Sequence, residues 1–164
     1  MCIHRGGLTH QLLFDLVYRL AAGFVERKRL GRILAGPYAM ELSYERKFEP
    51  DILFVTPTAA ARLTDDRLIG PADPVIEIAS PSTRAYDRGE KREAYRVGGV
   101  REYWIIDHAS RTVTVDRPAG REVAAATAGV VRSETCHGFW LRAEWLWADP
   151  LPTVEQCLAE FVTP

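Results

Sequence analysis

The segment Pro74–Ala79 (PVIEIA) places the strongest constraint on how this chain folds. Its aliphatic residues lie on both faces of an extended chain, which is typical of a strand buried inside a sheet. Glu77 stands at its centre and shares a face with Val75 and Ala79. Burial of an unpaired carboxylate is costly, so a cation, a set of hydrogen bonds or a metal ion must compensate Glu77.

Asp51 is a second acidic residue in strand-like sequence. It opens the segment DILFV and shares a face with Leu53 and Val55 when the chain is extended. Beside Pro50, such a residue also serves as a cap or turn residue, and this structural alternative stays open. If the two strand segments are neighbours in a sheet, the carboxylates of Asp51 and Glu77 come together.

A cation for these carboxylates is predicted on the helix that follows the Glu77 strand. Asp87, Lys91 and Tyr95 recur every four residues and form one stripe of that helix. If the helix packs on the sheet, the Lys91 ammonium can reach Glu77. A structural ion pair explains this arrangement, but two carboxylates and an ammonium are also what metal-assisted phosphoryl transfer requires.

The catalytic interpretation gives each side chain a role. Asp51 and Glu77 would bind Mg²⁺, or Mn²⁺ in its place, because hard cations prefer carboxylate oxygens. The ion would lower the pKa of a bound water and neutralise charge on the phosphate. Lys91 would support the attacking water or a non-bridging phosphate oxygen.

The sequence around these residues also resembles a known family. The segments EPDILFV and PVIEIASPSTRAYDRGEKREAYRVGGVREYWIID are similar to the Uma-type restriction-endonuclease-like family, a bacterial branch of the PD-(D/E)XK nuclease superfamily. The resemblance extends from the helix that begins near His10 to the weaker C-terminal strands. A lone PD or D-x-x-x-K would carry little weight, whereas the dense block from Pro74 to Asp107 is specific.

The resemblance implies a restriction-endonuclease-like fold and a metal-dependent endonuclease that cuts DNA, with a homodimer suited to cutting two strands. Asp51 and Glu77 would be metal ligands together with the backbone carbonyl of Ile78. In the commonest form of the superfamily the lysine follows two residues after the acid, where this chain has Ala79. The resemblance implies that Lys91 supplies the lysine from the following helix.

Several neighbouring residues have two interpretations. Asp87 would cap the helix, with Glu90 completing a capping box, or would be a partner of Lys91. The segment Ser80–Thr83 would form a turn or contact a phosphate. The resemblance places Tyr103, Trp104 and Asp107 in the EYW-x-x-D segment, where we expect Tyr103 and Trp104 in the core.

The predicted fold class is α/β (α+β), a mixed β-sheet flanked by helices in one domain over residues 1–164. A first helix from Thr9, its N-cap, to about Lys28 ends before Gly31, and a long loop runs from Thr56 to Asp73. Helices are also predicted from Asp87 to about Val97, ended by Gly98–Gly99, and from Thr153 to about Phe161. Predicted strands are Arg32–Leu34, Tyr38–Leu42, Asp51–Val55, Pro74–Ala79, Glu102–Asp107, Arg111–Asp116, and weaker ones near Val123, Val131 and Phe139.

Charge and cysteine usage bear on partners and location. The net charge is −1, so the excess of basic residues common in nucleic-acid-binding proteins is absent. Three widely spaced cysteines without a CxxC pair, and the lack of an apolar leader or membrane-spanning run, lead us to expect a cytoplasmic protein without a membrane partner. Zinc binding by Cys2 with His4, or by Cys136 with His137, lacks the usual ligand spacing.

Two other functions stay open. The first is a catalytically silent module that keeps the nuclease fold for binding or regulation, which Ala79 and the balanced charge favour. The second is a structural subunit that dimerises through the aromatic C-terminal region, where Trp140, Trp145 and Trp147 cluster. Phosphate-binding glycine loops and a GxSxG nucleophile motif are absent from the sequence.

Overall fold

The first helix, α1, covers Leu8–Lys28 in a computed structural model that describes residues 7–117 and 121–161. Its apolar stripe faces the protein interior and includes Leu16, Leu20 and Phe24. The prediction of Thr9 as N-cap is wrong, because Gly7 holds that position and Thr9 lies inside the first turn. Arg29 adopts the left-handed conformation and ends the helix.

A six-stranded mixed sheet forms the centre of the fold, which confirms the predicted class. The strand bounds are β1 Arg32–Ala35, β4 Ile52–Val55, β6 Val75–Ala79, β7 Tyr103–Asp107, β8 Thr112–Arg117 and β9 Arg121–Ala126. These strands lie in the order β1–β4–β6–β7–β8–β9. The parallel pair β6 and β7 lies at the centre, and the other neighbours are antiparallel.

A smaller sheet corrects two predictions about loops. Strand β2 (Ala39–Ser43) pairs with β3 (Arg46–Phe48) on one side and with β5 (Arg67–Ile69) on the other. The polar segment after Ser43 therefore contains a strand, and the predicted loop Thr56–Asp73 contains another strand and the 3₁₀ turn Ala59–Arg62. Both strands are only three residues long, which is too short for a periodic pattern to appear in the sequence.

The two faces of the central sheet bury different sets of side chains. One face, with Ile76, Ile78 and Trp104, packs against α1 and the C-terminal elements. The opposite face, with Val75 and Tyr103, packs against the small sheet and the helical segment after β6. Tyr103 and Trp104 are both buried, as predicted.

The helical segment after β6 has three parts, namely α2 (Arg84–Tyr86), a π-helical turn (Asp87–Lys91) and α3 (Arg92–Val97). Asp87 has helical backbone angles and its side chain makes no cap, so the prediction that it begins the helix is wrong. The turn Ser80–Thr83 precedes the helical segment, and its side chains hydrogen-bond to one another. Gly98 ends α3, as predicted.

The C-terminal part covers the α1 side of the sheet. It contains β10 (Val130–Arg132), β11 (Trp140–Arg142), α4 (Ala143–Trp147) and α5 (Val154–Glu160). Thr153 and Gln156 form a capping box at the start of α5, close to the predicted boundary. None of the described helices has the length and apolar character needed to cross a bilayer.

Candidate active site

Glu77 lies in the middle of β6 with 4% of its surface exposed. Lys91 Nζ lies 2.6 Å from Glu77 Oε1, and the Tyr95 hydroxyl donates a hydrogen bond to the same oxygen at 3.0 Å. The other oxygen, Oε2, accepts only a long hydrogen bond of 3.4 Å from the Asp51 backbone N–H. One carboxylate oxygen is therefore saturated with donors, and the other faces Asp51.

The π-helical turn brings Asp87 and Lys91 onto the side that faces the sheet. Lys91 Nζ lies 3.6 Å from Asp87 Oδ1, and both side chains are largely buried. The Tyr103 hydroxyl donates to the Asp87 carbonyl at 3.2 Å and ties this turn to β7. Single π turns within α-helices occur often at functional sites, since the extra residue re-aims the side chains.

Asp51 stands just before β4 and beside the buried Pro50. Its Oδ2 accepts a hydrogen bond of 2.7 Å from the Ile78 N–H, because β4 runs antiparallel to β6 with Ile52 opposite Ile76. The side chain keeps 26% of its surface exposed, which makes Asp51 the solvent-facing member of the carboxylate pair. The expected meeting of Asp51, Glu77 and Lys91 in space is thus observed.

His10, on α1, also lies beside Asp51, a contact that the sequence does not predict. Its Nε2 lies 3.6 Å from Asp51 Oδ2, and its buried Nδ1 has no hydrogen-bond partner among the described residues. No spacing rule links α1 to β4, because they are brought together only by packing on the sheet. The one available signal was the position of His10 near the start of the first helix in the family resemblance.

Burial and neighbouring charges shift the pKa values of these groups. Burial raises the pKa of Glu77, and the Asp51 and Asp87 carboxylates add to the effect while the Lys91 charge opposes it. Burial works against the charged form of Lys91, but the Glu77 and Asp87 carboxylates outweigh it and raise the Lys91 pKa. The hydrogen bond to Asp51 raises the pKa of His10 against the effect of burial.

Another buried carboxylate borders the site at the end of β7. Asp107 accepts hydrogen bonds from Arg84, Arg88 and the backbone N–H groups of Ala109 and Ser110. Burial alone would raise its pKa, but these hydrogen bonds and the two guanidinium charges hold the pKa of Asp107 below its ordinary value. Asp107 therefore anchors the start of the helical segment to the sheet.

The donor set at Asp51 and Glu77 suits a magnesium ion. Mg²⁺ keeps several waters and is commonly held by one or two carboxylates together with substrate phosphates. Within residues 7–117 and 121–161, no three Asp, Glu, His or Cys side chains form a group that could hold a metal by themselves. The Cys136–His137 zinc interpretation therefore finds no ligand set there, and Cys2 and His4 lie outside the described residues.

The sequence of this chain matches a known protein family over most of its length. The Uma2 family, described as "Putative restriction endonuclease", matches residues 4–144. The chain belongs to this family. The match takes in α1, both carboxylate-bearing segments, the helical segment with Lys91 and most of the C-terminal part, so all the residues of the candidate site lie within the Uma2 region.

Comparison with solved structures supports the fold. A crystal structure of a "putative nuclease belonging to DUF820" from Anabaena variabilis superposes with a TM-score of 0.73. The two sequences are 18% identical, and the match covers 87% of this chain and 82% of the other. At that identity the likeness establishes a shared fold and nothing more. A comparison with curated proteins gives no significant match.

Proposed function

We propose that this Uma2-family chain is a magnesium-dependent endonuclease that hydrolyses DNA phosphodiester bonds. The observation that carries the proposal is that the two carboxylate oxygens of Glu77 have different neighbours. Oε1 binds Lys91, and Oε2 faces Asp51. A buried carboxylate on β6, a partly exposed carboxylate just before β4 and one ammonium form the charge pattern that metal-assisted phosphoryl transfer uses. The family description agrees with this activity.

In this proposal Asp51 and Glu77 hold the cation, with the Ile78 carbonyl as a further oxygen ligand. Bound there, Mg²⁺ or Mn²⁺ would neutralise charge on the scissile phosphate and lower the pKa of a water. The Ile78 N–H fixes the orientation of the Asp51 carboxylate. His10, whose Nε2 lies 3.6 Å from Asp51 Oδ2, is a positioning residue for the same carboxylate.

Lys91 has two roles in the proposed mechanism. Its charge compensates the buried carboxylates of Glu77 and Asp87 before substrate arrives. When the phosphate is bound, the ammonium donates a hydrogen bond to a non-bridging oxygen or to the attacking water. Tyr95 keeps Glu77 in place during that exchange through its hydrogen bond to Oε1.

Cleavage of supercoiled plasmid tests the proposal. We expect nicked and linear products with Mg²⁺ or Mn²⁺, none with a chelator, and a loss of about 100-fold or more in Glu77→Gln and in Asp51→Asn. Gln keeps the size of the glutamate side chain without its charge, and thermal melting checks that the variant is folded. Glu45→Gln, at an exposed position, is the matched control and should cut like the wild type. Activity that persists in Glu77→Gln would come from a contaminant and would count against the proposal.

A catalytically silent module is the second candidate. The tight contact of Lys91 with Glu77 and Asp87 favours it, because only 11% of the lysine side chain is exposed. Calorimetric titration with Mn²⁺ separates the two candidates, since a module without a metal site gives no heat. Heat that depends on Asp51 and Glu77, together with a Lys91→Ala variant that no longer cuts plasmid, supports the endonuclease.

The quaternary structure belongs to the same proposal. A homodimer would present two sites to the two strands of a duplex, as the family resemblance implies. Sedimentation of the purified protein with and without a short duplex measures this directly. A monomer that nicks but never linearises plasmid would contradict the dimer and leave the single-site chemistry intact.

A further inference from the structure

A cavity of about 560 Å³ lies beside the candidate active site and takes no part in the proposed chemistry. Its volume is within the range of pockets that bind small organic ligands. The first turns of α1, the β7–β8 turn and the chain after α4 form its walls. The residues used below are Thr9, Leu12, His108, Arg111, Trp147 and Asp149.

The cavity lies at the same end of the sheet as the carboxylate pair. Thr9 is next to His10, which contacts Asp51. His108 directly follows Asp107, whose Cα is paired with that of Ala79 where β6 ends. A nucleic acid strand bound at Asp51 and Glu77 would therefore have this cavity within reach of its neighbouring nucleotides.

The walls of the cavity suit a flat aromatic ring. The Trp147 and His108 rings meet edge to face with centroids 6.0 Å apart and an interplanar angle of 65°. Trp147 Nε1 donates a hydrogen bond of 3.0 Å to the Thr127 carbonyl, which fixes the orientation of the indole. Leu12 adds an aliphatic surface. Indole and aliphatic walls of this kind accept unstacked bases with little dependence on sequence.

Arg111 supplies a cation that has no partner in the part of the chain that the structure describes. Among the described residues its guanidinium has no hydrogen-bond or carboxylate partner. Its backbone has φ of 49°, a left-handed conformation in which Gly or Asn is the ordinary choice at a hairpin turn. An arginine without a protein partner among the described residues, on the wall of a cavity, can pair with an anion such as a phosphate.

We propose that this cavity binds an unstacked base of the nucleic acid substrate, with the adjoining phosphate at Arg111. The inference rests on the proposed function, and it names how a nucleotide beside the cleaved bond is held. Trp147 and His108 provide the stacking surface. Asp149, on the same wall, accepts hydrogen bonds from the amino groups of bases.

Calorimetric titration with 2′-deoxyadenosine 5′-monophosphate and with a single-stranded hexanucleotide, both in EDTA, tests the inference. We expect saturable binding of both, weakened about tenfold in Trp147→Ala. Arg111→Gly should weaken binding about fivefold and reduce its salt dependence. Glycine accepts the left-handed backbone, so Arg111→Gly keeps the turn even if Trp147→Ala fails to fold.

The control variant is Tyr44→Ala, which removes an aromatic side chain that is 91% exposed on another part of the surface. It should bind like the wild type.

The result that overturns the inference is absence of binding to the wild type, or equal affinity in the wild type and both cavity variants. Self-association that Trp147→Ala weakens, without nucleotide binding, would also overturn it and reassign the cavity to a protein interface. Because the titration contains chelator, nucleotide binding is measured without metal binding or cleavage. Failure of the cavity inference is thereby separated from failure of the endonuclease proposal.

Discussion

The ammonium nitrogen of Lys91 lies 2.6 Å from Oε1 of Glu77, and both side chains are almost completely withdrawn from solvent. A pair of this kind gains little stability over an apolar pair, because two charges must lose their hydration. Removing one partner is nevertheless severe, since the other is left buried without compensation. This asymmetry gives the first prediction.

Lys91→Met should lower the free energy of unfolding by about 3 kcal/mol at pH 8, because Glu77 and Asp87 lose their shared cation. Adding Glu77→Gln should restore part of that stability. Urea unfolding of the wild type, both single variants and the double variant measures the coupling. Strictly additive effects would show that the two side chains do not depend on each other.

Asp107→Asn should destabilise the protein by about 2 kcal/mol above pH 5, because charge-assisted hydrogen bonds to Arg84 and Arg88 are lost. The pKa of Asp107 is depressed in the folded state. Its contribution is therefore complete above the unfolded pKa of about 3.9 and disappears as the pH falls through the folded value.

Urea unfolding of wild type and variant between pH 7 and pH 3 tests this, and the difference should shrink below about pH 4. Asp15→Asn is a suitable control because the Asp15 side chain is 59% exposed. A difference that stays constant down to pH 3 would show that the Asp107 charge is not what stabilises the β7–β8 turn.

Glu102→Ala should cost about 3–5 kcal/mol, because this fully buried carboxylate joins β7 to the C-terminal part. It accepts hydrogen bonds from Trp104, Ser133 and the Glu134 backbone, and it pairs with Arg117. Thermal and urea unfolding give the measurement. Glu155→Ala, at an exposed position on α5, should change stability little; a similar loss in both variants would refute a special role for Glu102.

Gly31→Ala should be strongly destabilising, whereas Gly89→Ala should be neutral or stabilise by about 0.5 kcal/mol. A Cβ on Gly31 would lie 2.3 Å from the Val55 carbonyl oxygen, and its φ of 141° is unfavourable for alanine. A Cβ on Gly89 meets nothing within 4 Å. The two melting temperatures, measured side by side, decide the matter, and a shift of the same sign in both would be unexpected.

The sequence predicted those features of the site that lie on one regular element. The stripe of Lys91 and Tyr95 follows from helical periodicity, and in the structure both side chains contact Glu77. Asp87 was misassigned as a cap because a π turn has no periodic signature. His10 was missed because only tertiary packing brings α1 to Asp51. The catalytic roles of these residues stay predictions.

Because of the π-helical turn, the contacts at both ends of the helical segment depend on the exact number of residues in it. A helix advances about 100° per residue, so loss of one residue between Arg84 and Tyr95 would rotate one half of the segment against the other. Arg84 and Arg88 could then keep Asp107, or Lys91 and Tyr95 could keep Glu77, but both sets of partners could not be satisfied together. Homologous proteins should therefore tolerate substitutions on the outer surface of this segment, whereas insertions or deletions within it should disrupt the site.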